Sequence, residues 1–378
     1  MFKKHLFKIC AYLVLTGFTI YALLDTFVIQ DVYMSDATYM NTSMFDNVTT
    51  TDTDSSSDTD EDTTDTDSTS DTDSDTTTDT DSDSTSDSDS KSSKNHHGHH
   101  KSSDDSDSDT DSDSDTTSDT TSDTTSTDTT STDDLEGEVI GTYSDDNIEI
   151  TITQYTYCDT QVYVADVQVS SAEYLKSAFA NDTYGKNVTD YTSSIASDNG
   201  AILAINGDYY GAQESGIVIR NGVIYRDEAD ADTDLLLIYA DGTMEVIGGD
   251  EKTAEELIEM GVWQAYSFGP SLIENGEVTV TTSSEVGKAM ASNPRTAIGL
   301  IDTNHYVFVV SDGRTDESEG LSLYELATFM ESLGVTTAYN LDGGGSSTMY
   351  FNGEVINNPT TTGNTIEERK VSDIVYIG

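Results

Sequence analysis

Four short segments of this chain concentrate the side chains able to do chemistry. They are Ile202 to Tyr210, Asn293 to Gly299, Val307 to Arg314 and Ala338 to Thr348, and each joins an apolar run to a cluster of Gly, Asp, Asn or Arg. An apolar run bounded by such a cluster suits a buried strand that ends at a loop, and strand ends converging on one sheet edge give a site a rigid base. The clusters supply three carboxylates, Asp208, Asp312 and Asp342, and two guanidinium groups, Arg295 and Arg314. Carboxylates can move protons; arginine forks grip phosphates or carboxylates with paired hydrogen bonds.

The run Asp342-Gly343-Gly344-Gly345-Ser346-Ser347 is the most telling. Three successive glycines cost backbone entropy and pack nothing, so they imply positive φ angles or a ligand pressed against the main chain. Two structures fit: a nest of N–H groups that binds an anion with help from Ser346 and Ser347, or a plain tight turn. No Gly-Lys-Ser/Thr follows, which excludes a Walker loop, and no Gly-x-Ser-x-Gly occurs, which excludes a nucleophile elbow. The chain has five arginines. Arg220 and Arg226 are expected to pair with local acids, whereas Arg295 and Arg314, inside the clusters, are expected to serve the site.

These residues need a scaffold, and the patterning supplies one. Alternation predicts strands over Ile148 to Tyr157 and Gln161 to Val169, then a helix over Ser171 to Phe179 and another near Tyr191 to Ser197. Ala201 to Asn206 reads as a buried strand, and Leu235 to Tyr239 with Thr243 to Ile247 as a hairpin around Asp241-Gly242. A helix follows over Thr253 to Met260, with strands at Val262 to Ser267, Thr296 to Ile301 and His305 to Val310. Ser322 and Glu325 form a capping box ahead of Leu323, Leu326, Ala327, Met330 and Leu333 on one helix face, and Gly334 stops that helix. Strands at Val335 to Leu341 and Val371 to Ile377 complete the set. Helices and strands without strict alternation predict one α+β domain, a mixed β-sheet with flanking helices, over residues 135–378.

Taken in order, these segments resemble the phosphodiester glycosidase family over roughly Ala201 to Ile377. The resemblance rests on Asn206-Gly-Asp-Tyr-Tyr, Pro294-Arg-Thr-Ala-Ile-Gly, Asp312-Gly-Arg, Gly320-Leu-Ser-Leu-Tyr-Glu-Leu-Ala, Asn340-Leu-Asp-Gly-Gly-Gly-Ser-Ser-Thr and Glu368-Arg369-Lys370-Val371. It implies an enzyme that detaches a sugar from a glycosyl phosphodiester. A phosphate is already a good leaving group, so the site must stabilise charge, hold an oxocarbenium-like transition state and deliver water, for which paired carboxylates are the usual means. The resemblance therefore makes Asp208, Asp312 and Asp342 catalytic candidates. Arg295, Arg314 and Arg369, with Gly343, Gly344, Ser346 and Ser347, would bind phosphate, while Asn206 and Asn340 would orient sugar hydroxyls. Asp342 could equally anchor the glycine turn. A divalent cation, Ca or Mg, held by the aspartates is also compatible. Two alternatives stand beside hydrolysis: a non-catalytic glycan-binding or adhesion module, and a transfer role in exopolysaccharide assembly.

The formal net charge is −56, with 72 acids against 16 lysines and arginines. Residues 51–134 are almost wholly Asp, Ser and Thr, a composition that buries nothing and repels itself into an extended stalk. The tract lacks the Gly and Glu of an EF-hand loop; its insert Lys91 to Lys101 gathers four histidines that could hold zinc, copper or nickel weakly. Ahead of it, Lys3, Lys4 and Lys8 precede Ile9 to Ile29, long enough to cross a bilayer as a helix with its N-terminus inside. A cleaved signal peptide competes with a retained anchor. The expected order is thus a membrane anchor over 1–30, a disordered acidic stalk over 31–134 and the domain over 135–378, displayed outside the cell. The acidic surface excludes nucleic acid as a partner and leaves a glycan or sugar-phosphodiester substrate. Cys10 and Cys158 fall in separate regions and are expected as two buried small hydrophobes.

Overall fold

The computed structural model describes residues 135–284, 292–362 and 365–378, together with 40–45, the backbone of 31–35 and the isolated positions Leu15, Thr16 and Thr19. Apart from those three positions, the expected membrane span lies outside the described residues, as do the acidic stalk from residue 51 onward, its histidine insert and Cys10. Among those described, no helix is long and apolar enough to cross a membrane.

The domain is mostly β-structure. An eight-stranded sheet runs in the order Glu277–Val278, Ser271–Glu274, Thr337–Asn340, Arg295–Asp302, His305–Ser311, Thr160–Val169, Ile148–Tyr157 and Gly137–Ser144. A five-stranded sheet orders Glu354–Val355, Met349–Phe351, Leu203–Asn206, Asp373–Ile377 and Leu175–Phe179, and a second five-stranded sheet is built around Asp234–Tyr239 and Val262–Ser267. Every strand pairing in these three sheets is antiparallel, which corrects the expected mixed sheet. Parallel pairing needs long crossovers, usually helical; the α-helices described in the domain, Thr192–Asp198, Ala254–Glu259 and Leu323–Ser332, are short.

Alternation explains the layering. In Thr160–Val169, Tyr163, Ala165 and Val167 enter a core shared with Ile205, Leu236, Ile298 and Val375 of all three sheets. Val162 and Val164 face the other way, against Leu326, Phe329 and Met330 of the longest helix. That strand is buried on both faces, so its sequence is nearly continuously apolar. The capping boxes form: Ser322 Oγ accepts from the Glu325 N–H, and Thr253 pairs with Glu256 in the same way.

Other expectations are corrected. Residues 171–179 fold as a short 3-10 turn and the strand Leu175–Phe179, because pairing with Asp373–Ile377 satisfies its backbone and buries every side chain but that of Lys176. Cys158 is exposed: with Asp159 it forms the two-residue tip of the Ile148–Val169 hairpin, at φ 46° and 53°, the positive angles of a type I′ turn. Part of the segment assigned to the stalk joins the domain, since Asp31–Ser35 pairs with Thr183–Lys186, the Asn41 N–H donates to Asn221 O, and Phe45 packs edge-on to Trp263.

Candidate active site

The strands Leu203–Asn206 and Thr337–Asn340 end, and Arg295–Asp302 and Asp373–Ile377 begin, at one edge of the two sheets. Short bonds stitch this edge: the Leu341 N–H donates to Thr296 O, Gly207 N–H to Asp373 O, and Asp342 N–H to Gly207 O. The structure thereby brings the four chemistry-bearing segments together. It does not point all their side chains the same way.

A cavity of about 170 Å³ opens at this edge, lined by Arg295, Arg314, Arg369, Asp342, Asn340, Asn293, Phe268, Gly343 and Gly344. Arg295 anchors through Nε to Leu321 O at 2.8 Å. Arg314 is held by Asn293, whose Oδ1 accepts from Nε at 3.3 Å and Nη2 at 3.0 Å. Its backbone takes a left-handed φ of 63°, uncommon for a residue with a side chain. Partial burial and the charge of Arg369 both lower the Arg314 pKa, as expected where guanidinium groups are crowded together.

Asp342 is buried, and its Oδ2 accepts from Ser346 Oγ at 2.6 Å and from Arg369 Nη2 at 2.8 Å. Burial pushes this carboxyl above its ordinary pKa; Arg369 and the Ser346 and Gly343 donors pull it back only in part. Asn340 donates from Nδ2 to Gly269 O at 2.8 Å, while its buried Oδ1 has no partner among the described residues. An orphan buried acceptor is costly unless a ligand or water engages it. At the rim, Tyr209 is exposed at a left-handed φ of 69°, with Arg369 5.9 Å above its ring.

The remaining predicted residues sit elsewhere. Asp208 is wholly buried, 2.9 Å from Arg220 Nη2, and accepts from the Ser267 and Tyr210 N–H groups; it does not line the cavity. Arg220 also pairs with buried Asp373 at 2.8 Å, so it does bind local acids. Arg226 instead donates to the carbonyls of Gly216, Tyr210 and Gln213, contrary to the expected acid partner. Asp312 is spent on the turn opposite, accepting from the Asn358 N–H and the side chains of Asn357 and Asn358. Asn206 is fully buried and braces the site from beneath, with Nδ2 to Asp342 O at 2.6 Å and Oδ1 accepting from Thr296 Oγ1. A sugar hydroxyl cannot reach it there.

The glycine loop is not an anion nest. The Gly344 N–H donates to Pro294 O, Ser346 N–H to Gly343 O and Ser347 N–H to Gly344 O, which makes the loop a tight 3-10 turn. Its glycines serve close approach instead: a Cβ on Gly344 would lie 2.8 Å from Arg314 Nη2, and one on Gly343 2.9 Å from Pro294 O. Ser347 is buried, whereas Ser346 couples Asp342 to Arg369, accepting from Arg369 Nε at 2.9 Å. Among the described residues no cluster of three or more His, Cys, Asp or Glu could hold a metal ion, so the three aspartates do not make the cation seat they suggested. Two lining residues escaped the sequence reading. Phe268 carries no motif, and Asn293 was visible only as a neighbour of Arg295.

Comparison with known proteins bears on this arrangement. Residues 199–378 match the sequence model of a family described as phosphodiester glycosidase. An uncharacterized SPbeta prophage-derived protein of Bacillus subtilis, YomE, is 29% identical over 237 residues, 60% of this chain and 37% of the relative. The N-acetylglucosamine-1-phosphodiester alpha-N-acetylglucosaminidase of Mus musculus is 41% identical over 66 residues, 18% of this chain and 13% of that enzyme. The chain thus spans well under half the length of either relative. The zebrafish catalytic domain of the same enzyme, solved auto-inhibited by its pro-peptide, superposes with a TM-score of 0.49 at 21% identity, covering 64% of this chain and 87% of that one. Residues 199–378, a little under half of the chain, are thus similar in sequence to the phosphodiester glycosidase family.

Proposed function

We propose that the domain hydrolyses glycosyl phosphodiesters. One observation carries the reading: in a strongly acidic chain, three arginines and a single carboxylate line one cavity. The arginines would receive the phosphodiester and neutralise the second negative charge that its phosphate gains as the bond to the anomeric carbon breaks. The electron pair of that bond leaves with the phosphate oxygen, water adds to the anomeric carbon, and the water proton passes to Asp342. Burial makes Asp342 a stronger base than an exposed aspartate. Because the phosphate departs without protonation, one carboxylate suffices where glycosides with poorer leaving groups need two. Asn340 Oδ1 would accept from a sugar hydroxyl, with Phe268 as the apolar wall. The family match and the mouse enzyme's similarity support this substrate class.

The bonds from Ser346 and Arg369 to Asp342 Oδ2 favour a second reading, a module that binds the phosphodiester without turnover. Incubation of the full chain with a synthetic methyl sugar-1-phosphodiester decides between them. Release of free reducing sugar in step with phosphomonoester supports hydrolysis; saturable binding without release supports the module.

The reading includes display at the cell surface, supported by the basic N-terminus, the apolar run Ile9 to Ile29 and the acidic tract. Protease added to intact cells should then shed the domain, and its protection would overturn this part.

A further inference from the structure

A second cavity, of about 400 Å³, is lined in part by residues that follow Tyr209 in the chain. Its volume falls within the roughly 300–1,000 Å³ usual for small-ligand pockets. The next residue, Tyr210, is one of its walls, stacked on Tyr184 with ring centroids 4.9 Å apart. Tyr225, half-buried, packs on Tyr184 at 5.2 Å and completes an aromatic corner. Tyrosine offers an apolar plane with a polar rim, a match for a pyranose ring, which is apolar on its axial C–H face and polar at its edge.

The polar side of the cavity is built and incomplete. The Arg226 guanidinium is fixed by three carbonyls, through Nε to Gly216 O and Nη1 to Tyr210 O and Gln213 O. Its Nη2 is buried without a partner among the described residues, and so is Gln213 Oε1. With the Tyr210 hydroxyl, also without a partner among the described residues, the orphans are a donor, an acceptor and a hydroxyl able to act as either, on three residues that line the same cavity. Buried polar atoms of this kind are costly if left unmet.

The ligand class follows from this pairing. A carboxylate or phosphodiester offers acceptors alone, so it would satisfy Arg226 and leave Gln213 Oε1 unmet, and it would face Glu214 and Glu228 in the lining. A hydroxyl both donates and accepts, and Lys186 offsets Glu214 at 3.5 Å. We propose that this cavity is a second carbohydrate site, which holds a neutral saccharide unit between the tyrosine corner and the Arg226–Gln213 pair. The backbone of Thr183–Lys186 is already paired with Asp31–Ser35, so recognition falls to the side chains.

The test uses the full chain, saturation-transfer NMR, and three probes: methyl glucoside, methyl N-acetylglucosaminide and methyl glucuronide, each titrated with and without excess inorganic phosphate. At least one neutral glycoside should bind whether or not phosphate is present, and the glucuronide should bind more weakly. Gln213→Leu should weaken the neutral glycoside about tenfold, the scale of one hydrogen bond lost. Tyr225→Leu, which removes the plane and leaves both polar atoms, should weaken it as well. Binding of neither neutral glycoside, or a preference for the glucuronide, would overturn the proposal. So would neutral binding that survives Gln213→Leu and Tyr225→Leu but disappears in Arg314→Ala, because the sugar would then occupy the arginine cavity. These outcomes do not depend on turnover, so a failure here is distinct from a failure of the hydrolytic reading.

Discussion

Arg369 Nη2 lies 2.8 Å from Asp342 Oδ2, and Ser346 Oγ, which donates to that same oxygen at 2.6 Å, accepts from Arg369 Nε at 2.9 Å. The arginine therefore grips the carboxylate both directly and through the serine. This closed triangle couples the one carboxylate lining the cavity to one of its three cations.

Coupling of this kind sets a pH dependence. Burial raises the Asp342 pKa while Arg369 opposes the rise. A base must be deprotonated, so turnover is present above that pKa and is lost as pH falls through it. Arg369→Ala removes the opposing charge, and the acidic limb of the kcat/KM profile should move to higher pH, with Arg369→Lys moving it less. An acidic limb unchanged in Arg369→Ala would show that another group sets it.

Removal of the base and removal of a phosphate ligand should fail differently. Asp342→Asn keeps the shape and deletes the proton acceptor, so turnover should fall by about 10²–10⁴ while affinity for inorganic phosphate holds or rises. Arg314→Ala should weaken phosphate and turnover together. Calorimetric titration beside a sugar-release assay separates the two patterns. Near-normal turnover in Asp342→Asn would remove that residue from the chemistry.

Gly344 offers an independent route to the same arginine. It has φ 63°, and an added Cβ would meet Arg314 Nη2 at 2.8 Å. Gly200 has nearly the same φ, 65°, with nothing within 4 Å. Both alanine variants should lose about 1 kcal/mol of stability from backbone strain. Gly344→Ala alone should also weaken phosphate, resembling Arg314→Ala. Equal phosphate affinity in the two glycine variants would contradict a displaced Arg314.

The buried ion cluster predicts a stability effect away from the cavity. Arg220→Met strands Asp208 and Asp373 without a countercharge and should cost about 3–5 kcal/mol, read from denaturant unfolding. In the intact protein, burial raises the Asp373 pKa, Arg220 lowers it and Asp208 raises it again, for a net upward shift. The folded chain then holds a proton that the unfolded chain releases. That contribution is full at acid pH and is lost as pH rises through the shifted value. The melting temperature of the native chain should accordingly decline, relative to Asp373→Asn, as pH rises from the carboxylate range toward neutrality. The reverse trend would mean that Arg220 dominates.

Local pattern was enough to locate most elements, because periodicity and caps act within a few residues. Val262–Ser267 and Ile148–Tyr157 lie where the local pattern places strands, and Ser322 and Glu325 cap the start of the helix they announce. The order of the motif segments likewise pointed to the family whose model matches residues 199–378 and located the loops that meet at the sheet edge. Which way each side chain turns from those loops depended on partners far along the chain. Asp208 and Asp342 look alike in sequence, each an aspartate beside glycine after a buried strand. One is claimed by Arg220, which also pairs with Asp373 153 residues away, whereas the other is gripped by Arg369 at the cavity. Residues 175–179 became a strand because Asp373–Ile377 was there to pair with it, and the glycine loop closed on itself because Pro294 O was there to accept the Gly344 N–H. Burial in a three-sheet core drives charges and amides to find partners in three dimensions, and only the assembled fold decides which partner each one meets and which atoms are left for a ligand.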